Sequence, residues 1–238
     1  MMIIRLFLSE KLTDEGRLFL DADGYNYLVN VLRVKDGAEV FVFNGVDGEF
    51  SAKVAFTGKK QVSLELCGKV SEPEPLPDVE LLCPLLKKDT IDITVQKATE
   101  LGVGVITLLQ TERTNAARVN LQRLALIAKE AAEQCRRVNV PVINPVQQLD
   151  KVLNDWNPNK ILFFLDETGR GSPAAQTLSL HKRKSSQAAF LVGPEGGFSS
   201  AEIKRLYELP FAKGLMLDRH ILRTETAVCA ALSLWKYV

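Results

Sequence analysis

Gly193-Pro194-Glu195-Gly196-Gly197 packs three glycines and a proline into five residues, directly after the apolar run Ala188-Ala189-Phe190-Leu191-Val192. A loop of this composition is shaped by its backbone, so its N–H and C=O groups can reach a small molecule where side chains would stand in the way. The run before it reads as a buried strand. Behind it a helix begins: Ser199 is placed as N-cap, Glu202 completes a capping box, and Phe198 and Ile203 occupy staple positions. A second cluster follows the short strand Gly214-Leu215-Met216-Leu217. There Asp218-Arg219-His220-Ile221-Leu222-Arg223-Thr224-Glu225-Thr226-Ala227 crowds charged and hydroxyl groups into a turn before an apolar C-terminal helix. Two loops that follow two strands can lie side by side at one edge of a parallel sheet, where open α/β folds bind ligands. The same glycines can also serve only to turn the chain.

Other chemistries find little to draw on. His181 and His220 are the only histidines, with no H-E-x-x-H, and no G-x-x-x-x-G-K-[ST] occurs, which argues against a zinc hydrolase, a Ser-His-Asp enzyme and a P-loop nucleotidase. Cys67, Cys83, Cys135 and Cys229 are widely spaced without a C-x-x-C pair. Reduced thiols are therefore expected, and neither a metal nor a redox motif. With 46% hydrophobic and 25% charged residues the chain is ordinary globular protein. No apolar run reaches membrane-spanning length, and Met1-Met2-Ile3-Ile4-Arg5 lacks the features of an export signal, so a soluble, cytoplasmic protein is expected. Formal net charge is only +1, with nine Lys or Arg against ten Asp or Glu up to Val70. Any nucleic-acid contact must then come from local patches, for which Arg113, Arg118, Arg123, Arg136 and Arg137, or His181-Lys182-Arg183-Lys184, are candidates.

The elements that must position these residues fall into two parts. Residues 1–72 have the punctuation of a small β domain: strands at Ile3 to Leu8, Ala38 to Phe43, Glu49 to Phe56 and Gln61 to Leu66, a turn at Asn44-Gly45, and a short helix from Asp23 to Leu32 with Leu28, Val31 and Leu32 inward. A small barrel is the natural closure. Residues 73–78 form a proline-rich linker. From 79 to 238 strand and helix alternate: strands at Val79 to Leu86, Val105 to Leu109 and Lys160 to Leu165, a helix after Asp89 or Thr90 that ends before Gly102, and a helix from Leu121 to Cys135 with Leu121, Leu124, Ala125, Ala128, Ala132 and Cys135 recurring at helical spacing. Such alternation implies an α/β domain, a mostly parallel sheet covered by helices.

The segments "LVGPEGGFSSAE" and "ILRTETA" closely resemble the RsmE family, the small-subunit (16S) ribosomal RNA uridine N3-methyltransferases of the SPOUT class. The resemblance extends through Gln96-Lys97-Ala98-Thr99-Glu100-Leu101-Gly102, Thr111-Glu112-Arg113-Thr114 and Glu133-Gln134-Cys135-Arg136-Arg137, and so covers nearly the whole chain. It implies a PUA-like RNA-binding barrel followed by a trefoil-knot methyltransferase domain, S-adenosyl-L-methionine as methyl donor, small-subunit rRNA or the assembled subunit as partner, and a homodimer packed through the knot. Tyr27 to Val34 looks like the most recognisable segment of the barrel. The family usually has Leu-Gly-x-Arg where this chain has Leu217-Asp218-Arg219-His220, and the stretch from Asn115 to Leu121 is shorter than usual.

Methyl transfer from a sulfonium is an in-line displacement that asks chiefly for alignment of donor and acceptor. Donor-pocket candidates are Leu191, Gly193, Glu195, Gly196, Gly197, Leu217, Ile221, Leu222, Thr224 and Ala227. Uridine N3 carries a proton at neutral pH, so the site must accept it or stabilise the anion that forms. Arg223 can stabilise the uracil oxygens, and Glu195 or Glu225 can take the proton. Arg33, Arg113 and Arg137 are the RNA-contact candidates, Arg33 being equally suited to closing a helix. Two further readings stay open: another SPOUT specificity such as 2′-O-ribose methylation, and a non-catalytic RNA-binding or ribosome-assembly protein. The apolar C-terminal helix, Thr226 to Tyr237, is hydrophobic nearly all round, as a second buried face at a dimer interface would require.

Overall fold

The computed structural model describes residues 4–114 and 118–238. Its contacts divide the chain into two units, Met1–Pro75 with Ala132–Val140 and Leu76–Ala131 with Pro141–Val238.

The first unit comprises β1 (Arg5–Phe7), β2 (Gly16–Phe19), α1 (Ala22–Tyr25), a π-helical segment Asn26–Val31, β3 (Glu39–Phe43), β4 (Glu49–Gly58) and β5 (Gln61–Ser71). Its strands form one sheet in the order β1-β3-β4-β5-β2, antiparallel except that β1 runs parallel to β3. Alternate residues such as Val40, Val42, Phe50, Val54 and Leu64 meet in a single core with Leu6 and Leu28. The small barrel is thus realised as a sheet wrapped about one core, with no ladder between β1 and β2 among the described residues. The expected helix changes character at Asn26. There the Leu32 N–H reaches back five residues to the Tyr27 carbonyl at 2.9 Å, and the wider turn leaves Leu28 buried but Val31 59% exposed. Residues 132–140 pack in this unit through Arg5, whose Nη1 donates to the carbonyls of Ala132 and Glu133, both at 3.2 Å, and whose Nη2 donates to the Arg137 carbonyl at 3.0 Å. Buried Arg5 is balanced by Glu49 at 2.5 Å.

The second unit contains β6 (Val79–Pro84), α2 (Lys88–Glu100), β7 (Val105–Gln110), α3 (Leu121–Cys135, shared with the first unit), β8 (Val142–Gln148), α4 (Leu149–Asn154), β9 (Leu162–Leu165), β10 (Ser172–Pro173), α5 (Ala174–Lys182), β11 (Ala188–Leu191), α6 (Ser200–Glu208), β12 (Ala212–Met216) and α7 (Thr224–Tyr237). Seven strands form one sheet, ordered β10-β12-β9-β11-β6-β7-β8, and every ladder is parallel. Parallel sheets are covered on both faces, which is why Leu162-Phe163-Phe164-Leu165 and Ala188-Ala189-Phe190-Leu191 are buried without alternation. Gly102, at φ +92°, turns the chain out of α2 in the left-handed region, as its place after the helix predicts. Edge strand β8 escapes a sequence reading because none of its residues is buried and it carries Pro145, in the stretch where the register with β7 slips. In α3 the buried stripe is Leu124, Ala128, Ala131 and Ala132, while Leu121 and Ala125 face solvent. Helix α7 packs against both α2 and α5 of its own chain, which accounts for much of its all-round apolarity. No described helix is long and apolar enough to cross a membrane.

Candidate functional site

In the sheet β9 lies between β12 and β11, and all three run parallel, so the segments that leave their C-terminal ends emerge at one edge. Together these segments wall a cleft. Of the expected donor residues, Gly193, Gly197, Leu217, Ile221, Leu222, Thr224 and Ala227 line it. Leu191 sits beneath, buried in the core, and Glu195 and Gly196 are on the outer, exposed side of the loop. Arg223 and Glu225 flank lining residue Thr224 at the start of α7, Arg223 exposed and Glu225 half-buried.

Three local interactions hold the walls. The capping box at α6 is complete, with the Glu202 N–H donating to Ser199 Oγ at 3.1 Å and the Ser199 N–H to Glu202 Oε2 at 2.8 Å. Glu202 is 7% exposed, and its second oxygen accepts from the Glu112 N–H at 2.9 Å. The Thr111-to-Thr114 turn is thereby tied to the base of the glycine loop, and Arg113 Nη1 donates to the Gly196 carbonyl at 3.1 Å. Across the cleft, Thr224 Oγ1 donates to the Gly193 carbonyl at 3.2 Å and joins the two predicted loops directly. Gly197 has φ +67°, and a Cβ there would run into the Glu167 carboxylate. Both facts make it the loop position that most needs glycine.

The third wall was not anticipated. Asp166, Glu167 and Gly169 line the cleft immediately after β9. The signal was available, since Asp166-Glu167-Thr168-Gly169 follows an apolar strand just as the glycine loop does. Buried Asp166 accepts from the Tyr207 hydroxyl at 2.6 Å, the Thr168 N–H at 2.9 Å and Thr168 Oγ1 at 3.0 Å. Burial works to raise its pKa, but these hydrogen bonds outweigh it and hold the carboxyl below its ordinary value. Burial and the Asp166 carboxylate push the Tyr207 hydroxyl the other way, so it remains a proton donor to Asp166.

Where the sequence carries Asp218 and His220, the structure forms a closed turn. Asp218 Oδ1 accepts from the His220 N–H at 2.8 Å and lies 2.8 Å from Nδ1 of the same ring. These hydrogen bonds hold the Asp218 carboxyl below its usual range. Glu195 accepts from the Lys87 N–H at 3.3 Å. Cys83, fully buried, is pushed up to about 12 by burial and the nearby Glu195 charge, and so stays a thiol.

None of the RNA-contact candidates is among the residues that line the cleft. Arg33 is exposed, at φ +55° just beyond the π-helical segment. Arg137 is half-buried in the first unit, where Nη2 donates to Asn139 Oδ1 at 2.6 Å, and burial lowers its pKa. Arg113 is exposed beside Gly196.

As a receptacle, the cleft combines apolar walls (Val192, Pro194, Leu215, Leu222) and open backbone with three carboxylates, Asp166, Glu167 and Asp218, set against Arg219 and His220. That lining suits a ligand with a flat apolar part and cationic groups.

Comparison with known proteins gives matches along the chain. A family described as RNA methyltransferase domain matches residues 72–236, and one described as RNA methyltransferase PUA domain matches residues 20–67. A Ribosomal RNA small subunit methyltransferase E of Bacillus subtilis is 30% identical over 97% of this chain and 94% of its own. One from Rickettsia conorii is 29% identical over 96% of this chain and 93% of its own. The crystal structure of a Ribosomal RNA small subunit methyltransferase E from Neisseria gonorrhoeae, bound to S-adenosyl methionine, superposes with a TM-score of 0.87 at 27% identity, covering 98% of this chain and 96% of that one.

Proposed function

We propose, from the premise that this chain belongs to the ribosomal RNA small subunit methyltransferase E family, that it methylates N3 of a uridine in 16S rRNA with S-adenosyl-L-methionine as donor. The observation that carries the reading is the cleft at the shared edge of β9, β11 and β12. It is walled by both glycine-loop and Thr224 segments, in a fold that superposes on a relative bound to this donor. The lining fits such a molecule: apolar walls and bare backbone suit an adenosine, and Asp166, Glu167 and Asp218 suit an adjoining sulfonium and ammonium. When bound, S-adenosylmethionine supplies an electrophilic methyl group.

The chain's own residues do the rest. Gly193 and Gly197 shape the backbone wall, and Thr224 fixes its distance from the C-terminal segment. Arg223, exposed at the mouth, stabilises negative charge on the uracil oxygens as N3 loses its proton to a carboxylate, Glu195 or Glu225. Arg33 and Arg113 contact phosphates. A trefoil knot belongs to this reading. It is supported by the path of Leu217 to Arg223, which leaves β12 and crosses the end of β9 to reach Gly193 after β11. So does a homodimer formed on the outer side of α7, where Ala230 and Leu234 remain half-exposed and Tyr237 is 78% exposed. The substrate is cytoplasmic small-subunit rRNA, free or assembled.

Purified protein incubated with small-subunit rRNA and labelled donor tests the reading. Nucleoside mass analysis should find 3-methyluridine. Label appearing only as a 2′-O-methyl nucleoside, or not at all on free rRNA and on the subunit, overturns it.

A further inference from the structure

Beside the glycine loop the second unit carries a groove that no role yet explains. Leu86, Ile91 and Val119 form its apolar floor, and Lys87, Lys88, Arg118 and Arg123 surround it, with no carboxylate in the lining. Arg123 is paired with Asp92. Lys87, Lys88 and Arg118 are exposed, and among the described residues no ion pair involves any of them. The groove adjoins the outer side of the glycine loop, where the Lys87 N–H donates to exposed Glu195 at 3.3 Å.

Three uncompensated cations around an apolar floor are out of keeping with a chain whose formal net charge is +1. A solvated face usually interleaves both signs. Single-stranded nucleic acid offers the complementary pattern, an anionic backbone along one side and apolar ribose and base faces along the other. We infer that this groove binds the RNA strand flanking the target uridine, with Lys87, Lys88 and Arg118 on phosphodiester oxygens and a ribose or base over Leu86, Ile91 and Val119. This rests on the methyltransferase reading above and adds to it a surface that places the substrate strand at the cleft mouth. The Arg118–Arg123 part is foreshadowed by the sequence. Lys87 and Lys88, about thirty residues nearer the N-terminus, are brought to it only by the fold.

The test compares Lys87→Glu/Lys88→Glu, Arg118→Glu and the charge-neutral Lys87→Gln/Lys88→Gln with wild type and with Lys151→Glu, at an exposed position on α4 that lines neither the cleft nor the groove. Steady-state kinetics over a salt series and donor binding by calorimetry are measured on each, together with anisotropy of a labelled single-stranded rRNA fragment. The groove variants should raise KM for RNA by about tenfold or more. The slope of log affinity against log salt should become shallower by about 0.7 for each phosphate of the single strand that the protein ceases to neutralise. Donor affinity and kcat at saturating RNA should stay at wild-type level, as should Lys151→Glu throughout. Unchanged KM and salt slope in folded groove variants overturn the inference, as does an equal loss in Lys151→Glu, which would show bulk charge at work. Failure of wild type to methylate any rRNA instead removes the parent reading, and anisotropy then still reports whether the groove binds RNA.

Discussion

Replacing Glu202 by Gln tests how the glycine loop is held. Both carboxylate oxygens are in use, Oε2 accepting from the Ser199 N–H at 2.8 Å and Oε1 from the Glu112 N–H at 2.9 Å, and the group is 7% exposed. A glutamine keeps one acceptor but turns an NH2 toward the other N–H, so that two donors face one another. A buried hydrogen bond to a charged group is worth about 1.5–3 kcal/mol, and Glu202→Gln should therefore cost about 2–3 kcal/mol. For a protein of this length that corresponds to a fall in Tm of roughly 4–12 °C. Urea denaturation followed by tryptophan fluorescence suits the measurement, since Trp156 and Trp235 both lie in the second unit. The control is Ser199→Ala, which loses only the hydrogen bond from the Glu202 N–H and should cost about 1 kcal/mol. A Glu202→Gln protein within about 0.5 kcal/mol of wild type, a difference no larger than a neutral surface change, would refute the reasoning, as would a loss smaller than that of Ser199→Ala.

Gly197→Ala should lower stability by about 1 kcal/mol or more because its φ is +67°, and should weaken donor binding by displacing Glu167. Gly196→Ala, whose nearest neighbour would be Arg113 Cβ at 3.5 Å, should be close to wild type by calorimetry. Arg223→Ala should reduce the methylation rate at saturating RNA far more than it weakens donor binding, and an unchanged rate would remove Arg223 from the chemistry. For Asp166, whose native pKa lies below the reference of 3.8, the stabilising contribution is present above the unfolded value and lost as pH falls through the native one. Tyr207→Phe removes one of its donors, so acid titration should show a lower Tm near neutrality and a shallower loss below about pH 4. Equal pH slopes would contradict that assignment. Ala230→Glu, at a half-exposed position on α7, should yield an inactive monomer by light scattering, and an active wild-type monomer would dispose of the dimer.

Elements written in short-range patterns were legible without the fold. The capping box at Ser199 and Glu202, the glycine after α2 and the apolar runs of β9 and β11 depend on neighbours within a few residues, and each lies where its pattern puts it. Local chemistry also marked two of the three segments that wall the cleft, those after β11 and β12. Periodicity did less well wherever an element has no clean face: α3 rotates Leu121 and Ala125 into solvent, the π-helical turn expels Val31, and β2 and β8 lie at sheet edges with too little burial to impose alternation.

The class of fold and the segments after β11 and β12 that can carry chemistry are readable without the fold, because strands, caps and glycine turns are encoded within a few residues. Which segments meet is set by long-range packing. Placing β9 between β12 and β11 brings Asp166 and Glu167 into the cleft and lets Thr224 reach Gly193. Likewise, the second oxygen of Glu202 finds Glu112, and Lys87 and Lys88 join Arg118 around one groove. Each of these meetings depends on strand order, a long-range outcome of burying both faces of a parallel sheet, and strand order leaves no local mark on the residues it brings together.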